Sequence, residues 1–277
     1  MPSANEIQDA QRAAWAGLSA GWEKWDSVIM DQLGPVGTAM IERLDVADDQ
    51  RHLDIAAGTG EPGLTIARLA PAAHVVLTDL SAEMLGIAAR RADAQGITNV
   101  ETRVCAAPTT CPSATRPSTA SRYGSGTCSS RRGQGDRRVR AGAQAGRAAV
   151  LVGMGQARGK PVDGDRHAGH RGGGAARPGR TGYVPVRRPR ISQCQVRGRG
   201  FREITEWDVG VELVTRSPAQ YWEMISEHVS LAVAALAQVG EPARERIAKA
   251  VMNQASAYEH DGRVRIPGMA RCVAGTK

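Results

Sequence analysis

"RHLDIAAGTGEPGLTIARLA", residues 51–70, decides how this chain folds. Leu53 to Ala56 is a short apolar run of strand length, interrupted by Asp54. Gly58 and Gly60 then make a turn that side chains would block. From Pro62 to Leu69 the apolar residues return with helical spacing. A strand, a glycine turn and a helix start bring bare backbone N–H groups close to a negatively polarised ligand.

Reading outward, "HVVLTDLSAEML" (74–85) gives a second buried strand, Val75 to Thr78, ending in Asp79. A carboxylate at that strand tip can accept both hydroxyls of a ribose. Ser81 is placed to cap a helix running to about Ala94, and Gly96 to end it. A third strand is expected at Asn99–Ala106. The order βαβαβ is the first half of a nucleotide-binding parallel sheet. Upstream, Ile7, Ala14, Leu18, Trp22, Trp25 and Ile29 form one apolar helical face, with a break expected at Gly34-Pro35. The tryptophans are read as packing residues.

Two cofactor classes compete for the turn. Gly58, Gly60 and Gly63 satisfy G-x-G-x-x-G, and Asp79 sits where a dinucleotide enzyme of the NAD type carries its ribose acid. Asp54, an acid just before the glycines, argues against that reading. The stretches LDIAAGTG and TDLSAEML resemble class I S-adenosylmethionine (SAM)-dependent methyltransferases, especially the ubiquinone/menaquinone C-methyltransferase-like group. The resemblance implies that Ala56, Gly58 and Gly60 face the methionine end of SAM. It implies that Asp54 helps hold the amino group, Asp79 holds the ribose, and Leu80 and Met84 lie near the adenine. Ala56 stands where the family has its first glycine. The resemblance returns downstream. "FREITEWDVGVELVTRSPAQYWEMISEH" (201–228) gives a strand near Ile204–Leu213 followed by helices, and "GRVRIPGMARCVAGTK" (262–277) an alternating terminal strand. A helical substrate cap at about 217–261 lies between them. Glu227 and His228 fall on that cap and are read as solvated helix positions rather than substrate contacts.

The expected fold is therefore α/β, a Rossmann-like class I methyltransferase sheet with N-terminal helices and a helical cap. The chain divides into N-terminal helices (1–45), the first half of the SAM-binding domain (46–107), an Arg/Gly-rich segment (108–199), and C-terminal strands with the cap (200–277). The third part does not fit the others. Residues 108–200 hold eighteen Arg, one Lys, three Asp and no Glu, a net +16 that leaves −8 for the rest of a +8 chain. With one Leu, one Ile and no Phe, that stretch cannot bury enough apolar area to offset chain ordering, so an irregular or disordered course is expected, without the family's fourth and fifth strands. Read from each codon's third base over 108–131 and from the second base over 133–170, with permitted codon choices, the chain yields DLPF, ATFDSVSV and FARVLKPGGRLCSSVW. These look like the family's adenine loop, fourth strand and fifth-strand region. Three single-base deletions, near codons 107, 132 and 199, account for the phases. The literal chain is then expected to be impaired as an enzyme.

This reading removes two tempting motifs. "DGDRHAGH" (163–170) has the residue types of a metal site, and "RRVR" with "RGGG" those of a nucleic-acid arm. Neither carries a selected role if the segment is out of phase, so no metal and no specific nucleic-acid partner is expected. The nucleic-acid binder, or an RNA methyltransferase with an Arg/Gly-rich insert, is the alternative if the segment is genuine. No apolar leader and no apolar run of spanning length occur. Cys105, Cys111, Cys128, Cys194 and Cys272 form an odd set without CxxC spacing. A cytoplasmic protein with a small-molecule acceptor (quinone, aromatic or polyketide-like) is the expectation. No catalytic base is identifiable.

Overall fold

Two helices open the chain. The first, α1 (Ala4–Lys24), starts with a reciprocal cap: Glu6 N–H donates to Ser3 Oγ at 3.3 Å, and Ser3 N–H to Glu6 Oε2 at 2.6 Å. The second, α2, spans Asp26–Leu44. The break between them falls at Trp25, not at Gly34-Pro35 as the sequence suggests. Pro35 lies inside α2 and costs it an amide bond. Val36, Met40 and Leu44, on the turns that follow, are at most 5 % exposed in the main core, and that burial holds the helix through the proline. The computed structural model describes residues 3–105, 126–131, 147–155 and 201–276.

The strand–turn–helix repeat follows as expected: β1 (Gln50–Ile55), α3 (Gly63–Leu69), β2 (His74–Asp79), α4 (Ala82–Ala94) and β3 (Val100–Val104). β1, β2 and β3 are parallel, with Leu53 opposite Val76 and Val75 opposite Val100. Ser81 caps α4, its Oγ accepting from Met84 N–H at 3.1 Å, and Gly96 takes a positive φ just beyond the end. Asn99 Nδ2 donates to the carbonyls of Ala67, Ala70 and Ala73, which satisfies the end of α3 and the turn after it.

The C-terminal part supplies β6 (Arg202–Thr215), three helices, α5 (Pro218–His228), α6 (Ser230–Leu236) and α7 (Glu241–Ser256), a short β7 (Glu259–His260), and β8 (Arg263–Thr276). β6 and β8 pair antiparallel along most of their length. One apolar core joins the two ends of the chain. Leu64 and Ile66 from α3, Val75 and Leu77 from β2, and Leu85 and Ala88 from α4 meet Val36 and Met40 of α2, and Val211, Ala270 and Cys272 of the C-terminal strands. Each fully buried aliphatic side chain of this kind contributes about 2 kcal/mol.

At the sheet centre, two strands lie inside the segment expected to be irregular: β4 (Gly126–Arg131) and β5 (Arg147–Gly155) give the order β3-β2-β1-β4-β5-β8-β6, with β7 on β8. β5 carries the signal that the composition of the whole segment hides, the continuous run AAVLVGM at 148–154. β1 also has an inner edge whose amides need partners, and backbone ladders form whatever side chains are attached. β4 runs antiparallel to β1, with Gly126 opposite Ile55, and so starts at the end of the sheet where β3 finishes. An antiparallel entry requires no crossover; a parallel one does. The remainder of 108–199, including the 163–170 acidic/histidine stretch and most of the out-of-phase strings, lies outside the described residues. Among the described residues, no helix is long and apolar enough to cross a membrane.

Candidate cofactor site

The site grows from the carboxyl ends of β1 and β2, where open α/β sheets hold their ligands. Between β1 and α3 the backbone turns through three left-handed residues, Ala56 (φ 60°), Gly58 (φ 55°) and Gly60 (φ 111°). Ala57 N–H donates to Thr78 O at 3.0 Å, which ties the turn to β2. A Cβ on Gly58 would meet no atom within 4 Å, so the outer side of the turn is open. A Cβ on Gly60 would lie 2.7 Å from Leu64 Cδ1, so this glycine is required by packing. Ala56 has the conformation but not the residue. An L-alanine in this region costs about 1 kcal/mol. Ala56→Gly should therefore raise stability by somewhat under that amount, since glycine also gains unfolded-state freedom. A denaturant midpoint lower than that of the parent would contradict the strain.

Two carboxylates flank the turn. Asp79, half-buried at the tip of β2, accepts from Gly58 N–H through Oδ2 and from Ser81 N–H through Oδ1, both at 2.9 Å. Each of its oxygens keeps a lone pair for a ligand hydroxyl. Asp54 is 1 % exposed. Its Oδ2 accepts from Gly63 N–H at 3.1 Å, and its Oδ1 has no hydrogen-bond partner among the described residues. Burial holds the Asp54 carboxyl well above the ordinary carboxylate value; Gly63 N–H works against that shift, while Asp79 and Glu61 add to it. Of the two residues assigned to the adenine, Leu80 is half-buried on the rim, whereas Met84 is 2 % exposed and faces inward.

The amides of α3 also depart from expectation. They are not bare. Gly63 N–H goes to Asp54, Leu64 N–H to Gly60 O at 2.8 Å, and Thr65 N–H to Glu61 Oε2 at 3.2 Å. Pro62 has none to give. The first-turn amides of α3 are thus spent inside the chain, where a pyrophosphate would need them as donors.

Sequence reasoning missed a third layer. Thr59, between the two turn glycines, is held by α2 and α4. Arg91 Nη1 donates to Asp26 Oδ1 at 2.7 Å and to Thr59 O at 3.1 Å, and Thr59 Oγ1 bonds Asp26 Oδ1 at 3.4 Å. Glu227 and His228 are not solvated helix positions. Glu227 takes Trp25 Nε1–H at 2.7 Å and Lys24 Nζ at 2.9 Å, and His228 packs edge-on against Trp22. Both are committed to α1 rather than to a substrate. Lys24–Glu227 has helical spacing on neither helix, so no periodicity could announce it.

Comparison with known proteins agrees in the same region. Residues 53–119 match the family described as Methyltransferase domain. The release factor glutamine methyltransferase of Xylella fastidiosa is 45% identical over 60 residues, 22% of this chain and 22% of that protein. The matched part thus spans about a fifth of the length of the curated relatives. Among solved structures, an RNA methyltransferase from Salinibacter ruber, complexed with S-adenosylhomocysteine, is 26% identical over 26% of this chain and 46% of its own, with a TM-score of 0.25. The 4+2 cyclase SpnF is 15% identical over 99% of this chain and 97% of its own, with a TM-score of 0.47. The carboxyl half of β1, the glycine turn and Asp79 lie inside the segment that matches the methyltransferase domain.

Proposed function

We propose that the chain is a SAM-dependent methyltransferase, related to the ubiquinone/menaquinone C-methyltransferase-like group, acting on a small-molecule acceptor in the cytoplasm. One observation carries the choice of cofactor. The α3 amides are spent on Asp54, Gly60 and Glu61, which disfavours a dinucleotide's phosphates, and a cation placed beside Asp54 favours its ionised form. Asp54 Oδ1, buried and without a hydrogen-bond partner among the described residues, supplies an acceptor for an ammonium group. When bound, SAM supplies an electrophilic methyl on a sulfonium. The residues present do the rest by placement. Asp54 holds the amino group, and Asp79 accepts the ribose hydroxyls. The turn at Ala56, Gly58 and Gly60 lets the backbone approach closely, and Leu80 borders the adenine, with Met84 buried behind it. In this proposal 108–199 is an out-of-phase translation that impairs the literal chain, and its basic charge is not a nucleic-acid site.

Two measurements test the reading. In a thermal shift on the full chain, S-adenosylhomocysteine at a hundred times its dissociation constant should add about 2.7 kcal/mol. NAD should add nothing. Stabilisation by NAD and not by S-adenosylhomocysteine would reject the cofactor assignment. Resequencing codons 100 to 205 should restore three bases; an unchanged sequence would reject the phase shift.

A further inference from the structure

Residues 21–26, the elbow between α1 and α2, face two ways at once. On one side they grip the cap. Lys24 Nζ donates to Glu223 Oε1 at 2.8 Å and to Glu227 Oε1 at 2.9 Å, while Trp25 Nε1 donates to Glu227 Oε2 at 2.7 Å. Gly21 makes the approach possible: a Cβ there would lie 2.4 Å from the Glu227 carbonyl oxygen. Trp25, Ile29 and Met224 form a second apolar core around this contact, separate from the one under the sheet. On the other side, the very next residue grips the glycine turn. Asp26 shares Arg91 with Thr59, and Glu23 accepts from Arg90 of α4 at 2.6 Å.

We propose that this elbow is a two-sided clasp that couples the glycine turn to the helical cap, so that filling the cofactor site tightens the cap over the acceptor. Trp25 and Asp26 are positioning residues in it, since neither is assigned a contact with cofactor or acceptor. The physical basis is continuity. Trp25 and Asp26 are adjacent, one buried in the cap core and the other ion-paired at the turn. A ligand that orders Thr59 fixes Asp26 through Arg91 and thereby fixes Trp25 against Glu227. Coupling of this kind is reciprocal, so whatever orders the cap strengthens cofactor binding by the same factor.

The proposal rests on the cofactor reading above, and its test separates the two. Amide hydrogen exchange is followed in the 57–61 turn and in α5 of the full chain, with and without saturating S-adenosylhomocysteine. In the parent protein the ligand should slow exchange in both segments. Trp25→Phe keeps the ring but removes the donor to Glu227; Arg91→Met keeps the chain length but removes the link to Asp26 and Thr59. Both variants should retain ligand-induced slowing in the turn and lose about tenfold of it in α5. Asp26→Asn provides a third variant if Arg91→Met fails to fold, with the same loss expected. Full slowing of α5 in any folded variant, or slowing confined to the turn in the parent, overturns the clasp and leaves the cofactor reading intact. No binding of S-adenosylhomocysteine by the parent, seen by calorimetry, overturns both.

Discussion

Gly63→Ala should destabilise the fold by about 3 kcal/mol, although alanine is the better helix former. Two effects of opposite sign meet at this position. Propensity favours alanine by about 1 kcal/mol in a helix interior and by less in a first turn. Packing opposes it. A Cβ on Gly63 would lie 2.2 Å from Leu77 Cδ2 and 3.0 Å from Asp54 Oδ2. Leu77 is fully buried in the main core, and Asp54 is 1 % exposed, so neither has free space to move into. Relief requires α3 to lift from the sheet, which would cost core contacts and the Gly63 N–H bond to Asp54. Overpacking wins, and the melting temperature should fall by roughly 10 °C. Gly86→Ala in α4 is the control, since a Cβ there meets nothing closer than Arg90 Nη1 at 3.8 Å. It should stabilise by up to about 1 kcal/mol. A Gly63→Ala protein that melts with the parent would show that the helix does not depend on this close approach.

The contrast between those two glycines shows what a sequence makes legible. Gly60 and Gly63 could be picked out because their spacing repeats a turn that backbone geometry imposes. For the same reason Ser81, Ala94 and Gly96 could be placed at the ends of α4, since caps are local chemistry. The fold class followed from this one segment and its echo at 201–228. What failed was non-local. Pro35 reads as a breaker because the burial of Met40 and Leu44 is invisible from the chain alone. β4 escaped notice because GTCSSR has no apolar pattern, and its place depends on the open edge of β1. Nothing in the sequence singles out His52. It is 2 % exposed with neither ring nitrogen partnered among the described residues, and burial pushes its pKa down to about 4. Within the site the two acids were legible by position, and their states were not. Asp79 is braced by Gly58 and Ser81, while Asp54 is buried with one oxygen unpartnered among the described residues, a difference that depends on tertiary packing.

Asp54→Asn should separate binding from stability. The carboxyl is buried, and its folded pKa is raised above the ordinary value. A raised carboxylate pKa means that the folded state holds its proton more tightly than the unfolded chain. Its contribution is therefore most favourable at low pH and is lost as pH rises from the unfolded value through the folded one. Asparagine keeps an oxygen for Gly63 N–H and carries no charge, so at pH 7 the variant should be at least as stable as the parent. Ligand affinity should move the other way. A charge-assisted hydrogen bond from an ammonium to a buried carboxylate contributes about 2 kcal/mol, so S-adenosylhomocysteine should bind roughly thirtyfold more weakly. The pH dependence supplies the second signature. In the parent, placing a cation against Asp54 favours the carboxylate, so binding releases a proton and affinity climbs with pH through the raised pKa. In the variant that climb should vanish. Calorimetry in two buffers of different ionisation enthalpy reads both quantities. Equal affinity and an equal pH slope in the two proteins would remove Asp54 from the ligand and leave it a buried strut beneath α3.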